Sequence, residues 1–125
     1  MTLMSVSGLH TYYGESHILR GIDITVNSAE MVCLIGRNGV GKTTLLKSLI
    51  GLLSPRNGEI IFNGESIRRK PPHQRAKSGI AYVPQGREII PHLTVEENLQ
   101  LGMEALPGGR NRNANIDHFI YELFP

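Results

Sequence analysis

The sequence is poor in cysteine, in net charge and in long apolar runs, and each shortage removes a class of protein. Its 125 residues hold a single cysteine, Cys33, so no internal disulfide can form. Thirteen Lys and Arg against eleven Asp and Glu leave a formal charge of +2, too small to argue for a nucleic-acid partner. No stretch approaches the ~20 apolar residues of a membrane span. Met1 to Ser5 has neither the basic start nor the apolar core of a signal peptide, so the chain is expected in the cytoplasm. The five histidines are scattered without paired ligand spacing, which argues against zinc. What remains, 40% hydrophobic and 19% charged, is the make-up of a soluble globular protein with enough chain for one core.

Glycine is plentiful, and its placement is informative. Gly36-Arg37-Asn38-Gly39-Val40-Gly41-Lys42-Thr43-Thr44 has the spacing of a phosphate-binding loop. Wrapping a polyphosphate requires successive backbone N–H groups to turn inward as a nest of donors. Gly39 and Gly41 remove obstructing side chains and permit positive φ. Lys42 adds a point charge for the terminal phosphates, Thr43 a hydroxyl for a magnesium ion, and Thr44 a further donor. Apolar residues at 45, 46, 49, 50, 52 and 53 predict a helix over 43–53, its positive end aimed at the anion. Met31-Val32-Cys33-Leu34-Ile35, just before the loop, reads as a strand buried on both faces, with Cys33 a small core hydrophobe.

Elsewhere the patterns are those of a β-rich front and short helices. Ile22, Ile24 and Val26 alternate with Asp23, Thr25 and Asn27 as in a half-buried antiparallel strand, and Leu3–Leu9 and His17–Leu19 read as weaker strands. Asn63-Gly64 between Glu59–Phe62 and Glu65–Ile67 predicts a two-residue hairpin. Residues 68–78 are basic without interleaved aromatics; they read as a solvated surface with a short helix starting at Pro71-Pro72. Ile80–Val83 is a second candidate buried strand. If parallel to 31–35, it would deliver Gln85 to the sheet edge that carries Lys42. Thr94-Val95-Glu96-Glu97 is a capping box opening a helix to about Met103, Pro107-Gly108-Gly109 a loop, and Ile116, Phe119, Ile120 and Leu123 a helical stripe in need of a partner.

With these parts assembled, the whole chain resembles the ATP-binding subunits of ABC transporters. The likeness is carried by YYGESHILRGIDITV, GRNGVGKTTLLKSLIGLL and AYVPQGREIIPHLTVEENLQLG, and is nearest the branch serving branched-chain amino acid and urea uptake. The resemblance implies an α/β fold, a P-loop NTPase (ABC ATPase) core with an N-terminal antiparallel β subdomain, incomplete, residues 1–125 being the N-terminal part of one ATP-binding domain. It implies ATP and Mg2+ as cofactors, with Tyr13 the aromatic on which adenine stacks and Gly36 to Thr44 the phosphate loop. Gln85, 43 positions after Lys42 (85 minus 42), matches the glutamine that contacts magnesium and the attacking water. Implied partners are membrane permease subunits and a second ATP-binding subunit, head to tail, with Arg87, Glu88, Ile89 and His92 as possible permease contacts. The location implied is peripheral, on the inner face of the cell membrane.

A signature motif resembling LSGGQ, an apolar strand ending in Asp-Glu and a switch histidine do not occur in these residues. The chain alone is therefore expected to bind nucleotide weakly without turnover, and to expose a sheet edge and apolar faces that make it aggregation-prone. A noncatalytic nucleotide-binding module and a soluble ABC ATPase outside transport are the alternative readings.

Overall fold

Antiparallel pairing organises the front of the chain. In the computed structural model, which describes residues 1–37, 39, 41–86, 89–105 and 116–125, β1 (Thr2–Tyr13) and β2 (Ser16–Asn27) form a long hairpin. β1 pairs on its other side with β3 (Asn57–Phe62), and β3 with the short β4 (Glu65–Ser66), giving the order β2-β1-β3-β4. β2 keeps the expected alternation, with Ile22, Ile24 and Val26 half-buried and Asp23, Thr25 and Asn27 exposed. The β3–β4 turn has Asn63 at φ +52° and Gly64 at φ +81°, the double left-handed conformation that a tight hairpin loop needs.

The helix α1 (Lys42–Ile50) packs on β1 and β2. Val6, Leu9, Leu19, Leu45, Ile60 and Ile67 form the buried apolar core. Thr11 and Ser48 meet inside it with their hydroxyl oxygens 3.0 Å apart, joining strand to helix. A slip in β1 near Gly8 interrupts the ladders to both neighbours; the Gly8 N–H donates to Asp23 Oδ1 at 2.7 Å. Gly58 lies against that slip at φ +108°, where a Cβ would stand 2.6 Å from both Gly8 O and Leu9 Cα.

The described chain divides into two compact units, Met1–Arg75 and Ala76–Pro125. α2 (Pro72–Lys77) starts at the prolines as predicted and crosses that boundary. In the second unit, α3 (Val95–Leu101) has the full capping box: Glu97 N–H donates to Thr94 Oγ1 at 3.1 Å and Thr94 N–H to Glu97 Oε1 at 3.0 Å. A 3-10 turn, Gly102–Ala105, follows. α4 (His118–Leu123) is capped by Asp117 and leaves Phe119 and Leu123 exposed. Pro107-Gly108-Gly109 lies outside the described residues.

Three expectations are overturned. Residues 31–35 form no strand, and all five are exposed, Met31 at 96%, Ile35 at 93% and Cys33 included. Ile80–Val83 forms none either, with Val83 at 82% exposure. The physical reason is shared: a strand buried on both faces is held by neighbours on its edges and layers above and below, and no strand among the described residues pairs with either run. The basic segment is not wholly solvated, because Arg75 is 2% exposed.

Gly58→Ala is expected to destabilise the first unit by on the order of 2 kcal/mol, from the clash with β1 and the left-handed φ. Gly64→Ala, in open space, meets only the φ strain. Urea unfolding of both variants checks the difference.

Candidate functional site

The glycine loop ends where α1 begins. Gly39 has φ +84°, and Gly41, the residue capping α1, has φ +109°. A Cβ on Gly41 would lie 3.1 Å from Leu19 Cδ2 and 3.3 Å from Ile18 Cγ2, so the loop passes close over β2. Unlike α3 and α4, α1 has no side-chain cap, and unlike α3 it has no acidic residue in its first turn. Among the described residues, the N–H groups of its first turn therefore have neither a carbonyl one turn back within the helix nor a capping side-chain oxygen. Lys42 is half-buried and its ammonium donates to the Gly36 carbonyl. Thr43 is exposed, whereas Thr44 is buried, its carbonyl accepting from Ser48 Oγ at 2.8 Å. Asn38 and Val40 lie outside the described residues.

This donor set fits a polyphosphate: uncapped helical N–H groups, a lysine and no competing carboxylate. The Thr43 hydroxyl fits magnesium, which keeps most of its waters and takes its remaining ligands from substrate phosphates. Among the described residues no group of three His, Cys, Asp or Glu side chains could hold a metal by itself.

The other end of α1 is fixed by a residue that the sequence reading missed. Gly51 caps it at φ +92°, its N–H donating to Lys47 O at 3.1 Å. Arg75 Nη1 donates to Ser48 O and Leu49 O, each at 2.8 Å; Nη2 donates to Arg68 O at 2.7 Å and Nε to Lys70 O at 2.9 Å. Burial lowers the tendency of this guanidinium to stay charged, and the four carbonyl dipoles oppose that cost. No local sequence signal marks one arginine of a basic run for such a role.

Tyr13 stands at the end of β1, 45% exposed, its side chain without a hydrogen-bond or ring partner among the described residues. Its neighbour Tyr12 is engaged instead. The Tyr12 and His17 rings stack at 4.2 Å, Arg56 Cζ sits 3.9 Å from the Tyr12 centroid, and His10 Nδ1 lies 2.9 Å from His17 Nε2. Arg56 also donates to Gly14 O at 2.9 Å, so this cluster braces the hairpin tip that carries Tyr13. Gln85 lies in the second unit, exposed and in a turn with Gly86; the strand expected to deliver it is not formed. Arg87 and Glu88 fall outside the described residues, and Ile89 and His92 are exposed. Asn98 ties that stretch to α3, accepting from Ile90 N–H and donating to Ile90 O and Thr94 O.

A profile of the ABC transporter family matches residues 19–123. The chain belongs to that family. It is 44% identical over 93 residues to the probable branched-chain amino acid transport ATP-binding protein LivF of Archaeoglobus fulgidus, covering 74% of this chain and 39% of that protein. Identity to the lipopolysaccharide export system ATP-binding protein LptB of Haemophilus influenzae is 39% over 104 residues, covering 83% and 43%. A solved ATP-binding subunit of an ABC transporter superposes with a TM-score of 0.72 at 38% identity, over 82% of this chain and 42% of that one. The chain thus spans about two-fifths of the length of these relatives. Its fold is that of an incomplete ABC ATPase, with β2-β1-β3-β4 as its antiparallel sheet.

Arg75→Met is expected to lower stability by roughly 3 kcal/mol, because buried carbonyls lose a charged donor, with partial recovery in Arg75→Lys. Chemical denaturation reads both. Desolvation, followed by His10, Arg20 and Arg56, lowers the His17 pKa, against a backbone hydrogen bond with Leu19 that raises it. Since the folded value lies below the ordinary ~6.5, the unfolded chain takes up the proton first. His17 therefore contributes stability in full above pH 6.5 that is lost as pH falls from there through its folded value. Melting curves from pH 8 to 5 should show a smaller decline for His17→Gln than for the unmodified protein.

Proposed function

We propose that this chain is the N-terminal part, residues 1–125, of the ATP-binding domain of an ABC importer subunit, and that its glycine loop binds the phosphates of ATP. The observation that carries this reading is the open amino end of α1, where uncapped N–H groups, left-handed glycines and Lys42 converge. Backbone groups from Gly36 through Asn38, Gly39, Val40 and Gly41 line the phosphates, Lys42 reaches the terminal ones, and Thr44 adds a donor. Thr43 ligates Mg2+, which when bound offsets phosphate charge. Tyr13 offers its unengaged ring to adenine. Gln85 takes the role that the family resemblance gives it, toward magnesium and the attacking water.

In the complete protein, two such subunits enclose ATP head to tail and drive permease subunits from the inner face of the membrane. The transported solute is small and polar. Likeness of residues 12–26, 36–53 and 81–102 to the uptake branch supports branched-chain amino acids or urea. These 125 residues contain the phosphate cradle and not the Asp-Glu pair, so by themselves they bind ATP without hydrolysing it.

The test is Mg-ATP binding by calorimetry. Lys42→Ala is expected to weaken binding at least tenfold, and Tyr13→Ala to weaken ATP but not tripolyphosphate. Undiminished binding by a folded Lys42→Ala variant would sink the site assignment.

A further inference from the structure

A second group of unspent donors lies at the opposite end of α1 from the phosphate loop. A cavity of about 350 Å³ is lined there by Gly51, Ser54, Arg68, Arg69, Lys70 and Arg75, among others. The nine residues of α1 put it about 13 Å of helix away from Lys42. Arg75 is already committed to carbonyl groups and contributes charge, not donors. Its neighbours keep theirs. Among the described residues Arg68 spends only Nη2, on Pro55 O and Arg56 O. Lys70 spends one N–H on Glu65, at 2.6 Å. Arg69 is exposed, and it and the Ser54 hydroxyl have no hydrogen-bond partner among the described residues. Two carboxylates, Glu65 and Glu59, stand near these four cations; Glu59 is occupied by Ser66 Oγ at 2.7 Å and by Ile60 N–H.

The carboxyl end of α1 accounts for Arg75, whose charge faces the negative pole of the helix. It does not account for Arg69, for the remaining N–H groups of Arg68 and Lys70, or for Ser54. A cavity rich in donors and poor in acceptors is matched by a ligand that brings negative charge and several acceptor oxygens, and arginine forks suit tetrahedral oxyanions. We infer that this cavity binds a phosphate group, carried by a soluble phosphate compound or by a phospholipid head, at a site separate from the phosphate loop.

The uniformly 15N-labelled 125-residue chain is titrated with inorganic phosphate against chloride at constant ionic strength. The site predicts saturable amide shifts at Gly51, Ser54, Arg69 and Lys70. These should persist in Lys42→Ala, which disables the loop, and weaken at least tenfold in Arg69→Ser. Because Arg69 is exposed and makes no hydrogen bond among the described residues, that variant keeps the fold; Lys70→Gln supplies an independent second variant. In parallel, flotation with phosphatidylglycerol vesicles separates the sources. Arg69-dependent flotation without response to free phosphate assigns the lipid head, and the reverse assigns a soluble compound. The inference is overturned if shifts are confined to residues 36–44 and vanish in Lys42→Ala, if Arg69→Ser binds phosphate as well as the unmodified chain, or if neither phosphate nor vesicles give an Arg69-dependent signal.

Discussion

Arg75 puts one guanidinium against four carbonyl oxygens, two from the last turn of α1 and two from residues 68 and 70, and so staples the carboxyl end of the helix to the chain that follows the β3–β4 hairpin. Helix ends otherwise leave such carbonyls to water. Here the end is half-buried, and a Cβ on Gly51 would crowd Arg75 Nε at 3.1 Å. The Thr11–Ser48 contact holds the flank of the same helix to β1. A short helix is stiff, so fixing one end and one side fixes the direction in which the other end points.

That other end is left without local support. A serine or aspartate N-cap contributes about 1 kcal/mol where the backbone is extended, but position 41 is left-handed at φ +109° with Leu19 Cδ2 3.1 Å from where a Cβ would stand, so only glycine fits there. Gly41 supplies neither a cap nor a charge. Nine residues with two threonines and a serine are marginal as an isolated helix. Stability is thus drawn from the carboxyl end and the sheet contact, while the amino end has no side-chain cap among the described residues.

Legibility followed the range of the interaction. The Asn63-Gly64 turn, the Thr94–Glu97 capping box, the alternation of β2 and the proline start of α2 each rest on residues within a few positions of one another, and each was readable. The left-handed conformations of Gly39 and Gly41 were readable for the same reason, from the spacing of the glycines. Met31–Ile35 and Ile80–Val83 looked like buried strands because composition reports a preference for burial; whether a ladder forms depends on strands elsewhere. Arg75 was invisible because its partners come from residues 48, 49, 68 and 70 and are backbone atoms, which carry no sequence signature.

If the loop binds phosphate as proposed, the run before it, unpaired among the described strands, bears directly on how strongly it does so. A cradle needs two struts, the segment entering the loop and the helix leaving it. The leaving strut is fixed by Arg75 and Ser48. The entering strut, residues 31–35, has no ladder, and the contact between Lys42 and the Gly36 carbonyl is what ties its end to the helix. Binding to half a preorganised cradle must order the remainder, and backbone ordering costs about 1 kcal/mol or more per residue. Five unpaired residues are enough to offset several of the hydrogen bonds that the loop can make. In the proposed reading, affinity is therefore limited less by the donors presented than by the lack, among the described residues, of strands paired with residues 31–35.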